Sequence, residues 1–243
     1  MQKEKIMKLS EFFELLQYGE LANLPASGGI DDEKGIRVQD YPVLISHLNL
    51  ALTDIHTKFN LKEREVAIQE YESITFYELD SKYAQENTGS TEPVKYILDS
   101  PANVFNDDVI RINAIFDEAG CELPINDEYR QESLFLNSFK TIQIPFPSDE
   151  NTIFVMYRAN HEKLSTSTPD LNAEVDIPAF AVEAVLSYVA SRVHSQRTSP
   201  EAQNTAVNLM AKYNMLCDQI ELRNVLNTAT NNTNIKLGRN GWV

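Results

Sequence analysis

Cysteine, glycine and tryptophan are scarce in this chain of 243 residues, basic residues are few, and no long hydrophobic run occurs. Cysteine appears twice, at Cys121 and Cys217, and neither stands in a CxxC pair. A disulfide scaffold and a zinc site of the usual spacing therefore have no support, and a cytosolic folding environment is the expectation. Eight glycines leave little material for phosphate-cradling loops. No P-loop, GxGxxG or GxSxG occurs. No stretch of about 18 apolar residues is present, so no membrane span is expected. Met1 to Ser10 is charged and lacks the apolar segment of a secretory signal.

Basic residues number 21 against 36 acidic ones, a net charge of −15. Tight nucleic-acid binding needs concentrated Lys and Arg, so this balance argues against it. It fits a wall past which DNA slides without sticking. The charge is uneven: residues 180–243 hold six basic and four acidic side chains, so the excess of acid lies in the first 179 residues. The two parts are suited to different partners.

The residues that carry chemistry are scattered. His47 and His56 lie nine apart in a helical stretch and point to opposite sides. His161 and His194 stand far from both in sequence. There is no HExxH and no His/Cys cluster, so no metal is expected. His194 with Ser195 and Ser199 reads as helix-end polarity rather than a reactive cluster. Asp31-Asp32-Glu33, Asp107-Asp108 and Asp117-Glu118 fall in turn-like stretches, where solvated carboxylates are the default. Asp107-Asp108 lacks the ladder of a calcium loop. No cofactor and no enzymatic activity are expected.

What is present is a pattern of elements. Leu9 to Leu24 reads as a first helix, ended by Pro25 and the Ser27-Gly28-Gly29 turn. Asp40-Tyr41-Pro42 opens a second, with Asp40 as cap. Leu44, Leu48, Leu52, Ile55 and Phe59 make one apolar stripe over about 27 Å, while Val43, Ile45 and Leu50 lie off it. From Lys62 the period changes toward two. Arg64 to Ile68, Thr75 to Leu79, Tyr96 to Leu98, Val109 to Phe116, Ser133 to Pro145 and Thr152 to Arg158 read as short strands between turn signals. Helices return after Pro169. Asp176-Ile177-Pro178 starts one with a stripe of Val182, Val185, Leu186, Val189 and Val193. Ser199-Pro200-Glu201 caps and restarts another, whose seam is Ala202, Ala206, Leu209, Tyr213, Leu216 and Ile220. The expected fold is α+β: a bundle of about four helices with an inserted antiparallel β sandwich or barrel and an extended C-terminal arm. The expected domains are 1–61 with 171–226, 62–170, and 227–243.

The last segment stands apart. Asn227 to Val243 has no acidic residue, and its large hydrophobes are Ile235, Leu237 and Trp242, the sole tryptophan. A polar segment ending in an aromatic anchor suits ordering on a partner.

This order of elements resembles the head-to-tail adaptors of short-tailed bacteriophages, the tail tubular protein A group. Leu16-Gln17-Tyr18-Gly19-Glu20-Leu21-Ala22-Asn23-Leu24 looks like the start of such proteins, as do Tyr41 to His56 and Thr75-Phe76-Tyr77-Glu78-Leu79. Ile177-Pro178-Ala179-Phe180 with Val185 to Ala190 resembles the group's third helix. The resemblance covers most of the chain. It implies a structural virion protein assembled in the host cytoplasm and placed in the neck. Its homo-oligomeric ring, commonly a dodecamer, would sit under the portal protein. Tail nozzle or tail fibre proteins would lie beyond, and DNA would pass through the channel. Carried over to this chain, the portal-docking arm is Arg223, Asn227, Ile235, Lys236, Leu237, Arg239, Trp242 and Val243. Two other readings compete: a β module that binds a glycan or peptide, and a hydrolase with a scattered active site.

Overall fold

The computed structural model describes residues 7–22, 30–31, 35–149 and 151–223. In chain order the elements are β1 (Met7–Lys8), α1 (Leu9–Tyr18), β2 (Ile30–Asp31), β3 (Gly35–Ile36), α2 (Tyr41–Lys58), β4 (Glu63–Gln69), β5 (Phe76–Glu78), β6 (Ile97–Leu98), β7 (Val109–Phe116), β8 (Phe135–Ser138), β9 (Thr141–Gln143), β10 (Thr152–Ala159), β11 (Glu174–Val175), α3 (Val182–Ser195) and α4 (Pro200–Leu222). The fold is α+β, with four α-helices and antiparallel sheets among the described residues.

The chain divides into two compact units. One holds Met1–Leu9 and Val38–Asp176, the other Ser10–Arg37 and Ile177–Val243. This division cuts across the expected one, because α2 groups with the sheets instead of with α3 and α4. Polar bonds explain the grouping. Asn49, Thr53, His56 and Thr57 on α2 all bond to residues between 158 and 176.

In the first unit, a four-stranded sheet runs in the order β6-β4-β10-β7 and a three-stranded sheet in the order β5-β9-β8. Alternation sets the buried side. Along β10, Ile153, Val155, Tyr157 and Ala159 are buried and their neighbours are not. The two sheets share one core: Val66, Ile68, Ile115 and Val155 from the larger meet Tyr77, Ile142 and Ile144 from the smaller segment. That is the expected sandwich-like packing. The run Ser133 to Pro145, read as one strand, is a hairpin of β8 and β9 turning at Phe139-Lys140. No glycine or proline marks that turn, so periodicity passes through it unbroken.

The expected stripe of α2 is buried: Leu44, Leu48, Leu52, Ile55 and Phe59 are at most 9% exposed. Ile45, expected off the stripe, is buried as well. Asp40 makes no side-chain capping bond; it ends a short 3-10 turn over Val38–Asp40, and Pro42 lies in the first turn of α2. Helix α1 stops at Tyr18, earlier than expected, with a turn at Gly19.

In the second unit, α4 starts as its sequence dictates. The Ser199 hydroxyl accepts from Ala202 N at 3.2 Å, and Pro200 fills the first position. Of the expected α3 stripe, Val185 and Val189 are fully buried, while Val182, Leu186 and Val193 are only half-buried; Ala184, Ser187 and Ser191 are buried in addition. Small side chains let α4 approach closely, and Ser191 Oγ donates across to Ala206 O at 2.8 Å. The Tyr188 and Tyr213 rings meet edge to face at 5.2 Å. Residue 188 thus lies by 213 and residue 191 by 206, the expected antiparallel hairpin.

Candidate interaction surfaces

The solvent side of α4 carries exposed apolar side chains. Val207 is 68% exposed, Met215 51% and Leu222 84%. Successive spacings of eight and seven keep them on one side of the helix, away from the seam that meets α3. On α1, Leu15 and Tyr18 are exposed one turn apart. Between these features the unit is pinned by charge. Lys212 Nζ donates to Glu20 Oε1 at 2.7 Å and sits 3.0 Å from Glu183 Oε1. The bond to Glu20, then that to Glu183, hold its pKa above the ordinary lysine value. At the end of α3, burial lowers the pKa of His194. Its neighbours Ser195 and Ser199 spend their side chains on helix ends: Ser195 Oγ donates to Arg192 O, and Ser199 caps α4.

In the first unit, α2 has a second, smaller apolar line. Val43 and Leu50 lie seven apart and are each nearly half exposed. Another line of α2 places two polar side chains, Asn49 and His56, among its buried residues. Asn49 Nδ2 donates to Leu164 O at 2.9 Å, and Leu164 N donates to Asn49 Oδ1 at 3.0 Å. His161 Nδ1 lies 2.8 Å from Glu162 O, and its Nε2 lies 3.1 Å from Asn49 O and 3.2 Å from Thr53 Oγ1. Burial pushes the His161 pKa down. The neutral ring carries one N–H, which donates either from Nδ1 to Glu162 O or from Nε2 to Asn49 O, according to the tautomer. The His56 ring lies 5.9 Å from that of His161, with its Nε2 3.2 Å from Asp176 O. Asp176 also accepts from Lys62 at 2.9 Å.

The outer side of the three-stranded sheet carries aromatics. Register places Phe76, Gln143 and Phe135 side by side, with Phe76 54% exposed. Tyr129, Phe139 and Phe146 are exposed in adjoining loops. The inner side holds fully buried Tyr77 and Ile142. Tyr77 accepts from Tyr71 N at 2.8 Å and donates to Tyr71 O at 3.2 Å, and burial raises its pKa.

The carboxylate pairs flagged in the sequence are spent on local structure. Asp107, at φ 55°, accepts from Ser81 N and from the Ser81 hydroxyl. Asp108 accepts from Tyr157 Oη at 2.9 Å and Arg64 Nη1 at 3.0 Å. Asp117 accepts from Ala119 N and Cys121 N, and Glu118 from Thr152 N. Glu70 is buried and accepts from Ser148 N at 2.9 Å; burial raises its pKa. A cleft of about 350 Å³ runs along the segment from Glu162 to Glu174, with exposed Glu162, Lys163, Asp170 and Glu174 at its walls. Among the described residues, no group of three or more His, Cys, Asp or Glu side chains is placed to hold a metal ion. Among them too, no helix is long and apolar enough to cross a membrane.

Of the expected docking residues, Arg223 is exposed just past α4, its N–H bonded to Gln219 O at 3.0 Å. Asn227, Ile235, Lys236, Leu237, Arg239, Trp242 and Val243 lie outside the described residues. Sequence reasoning missed the Asn49 and His161 cluster and the role of Ser191. The signal for Asn49 was available: it falls on the helical line Ile45, Leu52, His56, and a polar residue inside a buried line needs a partner. The chain matches no known protein family, and no curated protein matches it.

Proposed function

We propose that this chain is a structural virion protein, a subunit of a phage head-to-tail adaptor ring seated between the portal protein and the tail. The observation that carries the reading is the dressing of helices in both units with apolar side chains toward solvent. These are Val43 and Leu50 on α2, Leu15 and Tyr18 on α1, and Val207, Met215 and Leu222 on α4. A subunit of a closed ring needs lateral contact patches, and such residues supply them. The order of elements supports the same reading, as does the acid-free segment 227–243. The net charge of −15 suits a channel that DNA traverses without being held. On this reading the chain works without cofactor or catalysis. It contacts the portal through Arg223 and the segment 227–243, and tail nozzle or fibre proteins through its sheet unit.

The test is to mix the purified chain with a portal ring of the same phage and image the product by electron microscopy. A second ring stacked on the portal is the expected result. Deleting residues 227–243 is expected to abolish stacking while circular dichroism stays unchanged. A chain that never joins the portal overturns the proposal.

A second reading has its own observation. The row Phe76, Gln143 and Phe135, with Phe76 exposed and the other two half-buried, offers aromatic side chains beside a carboxamide, a surface suited to a glycan or a peptide. Saturable binding of an oligosaccharide by the monomeric chain, lost in Phe76→Ala, would favour it over the ring.

A further inference from the structure

The solvent side of α4 is unusual in its charge. From Gln203 to Met215 every exposed side chain is uncharged: Gln203, Asn204, Val207, Asn208, Ala211, Asn214 and Met215. The lysine in that stretch, Lys212, is turned aside to Glu20 and Glu183. The chain as a whole is 23% charged residues and carries −15. Depletion of charge around exposed aliphatic groups marks the centre of a protein contact. Two copies of so acidic a chain repel over most of their surfaces. A contact between copies is therefore cheapest where at least one side brings no charge.

The same unit offers a complement. On α1, Leu15 is 46% exposed and Tyr18 79%, with Glu14 exposed beside them. The α4 side has carboxamides at Asn204, Asn208 and Asn214 to meet the Glu14 carboxylate and the Tyr18 hydroxyl, while the exposed charges Asp218, Glu221 and Arg223 lie beyond Met215, outside the uncharged stretch. We infer that the Val207–Ala211–Met215 side of α4 packs on the Leu15–Tyr18 patch of a second copy of this chain. The contact joins two different patches, so it is heterologous, the type of contact that forms a ring when its rotation closes. Ala211, between Val207 and Met215, leaves room for the tyrosine ring. The inference rests on the ring reading and assigns two patches to its subunit contact.

The experiment uses the full-length chain with Cys121→Ser, which removes the exposed native thiol. One preparation adds Val207→Cys, another Tyr18→Cys with a different affinity tag. They are mixed, with and without the portal ring, and oxidised with diamide. The expected product is a disulfide-linked pair containing both tags, reduced at least tenfold when the Val207→Cys chain also carries Met215→Asp. Pairs of Val207→Cys chains alone would show that the α4 side meets itself and would overturn the inference. A cross-link from Val207→Cys to the portal would overturn it as well. If no mixed pair forms but micrographs still show rings on the portal, the inference fails and the ring reading stands. If neither pairs nor rings form, both fail.

Discussion

Asn49 and Leu164 are joined by a two-bond clasp, the side-chain amide of one bonded to both backbone groups of the other at 2.9 and 3.0 Å. The pair is separated by 115 residues and is buried. The segment that contains Leu164 has no strand ladder of its own until β11. Its backbone groups must still be satisfied away from water, and α2 satisfies two of them with one side chain.

Asn49→Leu keeps the volume and removes both bonds. It leaves a buried N–H and a buried carbonyl unpaired, at a cost of about 2–3 kcal/mol in total. Urea unfolding is expected to show that loss, and amide exchange is expected to speed at Leu164. An unchanged midpoint would mean that the clasp contributes nothing net.

The buried histidine nearby makes stability depend on pH. Burial lowers the folded-state pKa of His161, so the folded chain binds fewer protons than the unfolded one just below the ordinary value of about 6.5. Its contribution is complete above that value and is lost as pH falls from there through the folded pKa. His194 in the other unit is shifted the same way by burial. Unfolding midpoints measured from pH 7.5 to pH 5 are expected to drop. In His161→Gln the drop should be smaller, whatever the change at pH 7.5. An identical slope in both proteins would refute the assignment.

Glu70 works with the opposite sign. Burial raises its folded pKa above 4.5, so the folded state holds the proton longer than the unfolded chain. That contribution weakens as pH rises from 4.5 through the folded pKa. Glu70→Gln retains an acceptor for Ser148 N and removes the charge. Its stability relative to the parent is expected to improve on going from pH 4.5 to pH 7. A constant difference across that range would count against the burial argument.

The helix cap is a simpler test. Ser199→Ala removes the acceptor for Ala202 N and is expected to cost about 1 kcal/mol. Ser199→Asp should recover most of it, since a carboxylate caps equally well and suits the helix N-terminus. Thermal unfolding of the three proteins decides the matter.

Thiol chemistry separates the two cysteines. Cys121 is exposed and Cys217 is buried on the seam of α4. One thiol is expected to react promptly with a chromogenic disulfide reagent in the native chain, and two in denaturant. Two prompt thiols would mean that the α3–α4 seam opens readily.

Much of the fold was legible in the residues themselves. The stripe Leu44 to Phe59 and the alternation in β10 are local patterns, set by the periods of helix and strand and by the aversion of apolar side chains to water. The Ser199-Pro200 start of α4 is equally local, because cap chemistry acts within one turn. Tertiary structure alone decided which surfaces were spent inside. It buried Ser191 instead of the neighbouring valine Val193, because close helix approach favours small residues. It bound α2 to the segment before Asp176, because unsatisfied backbone groups needed the amide of Asn49. It also left Val207, Met215 and Tyr18 facing water, a choice no periodicity reveals, since an apolar residue looks the same in sequence whether its partner is its own chain or another.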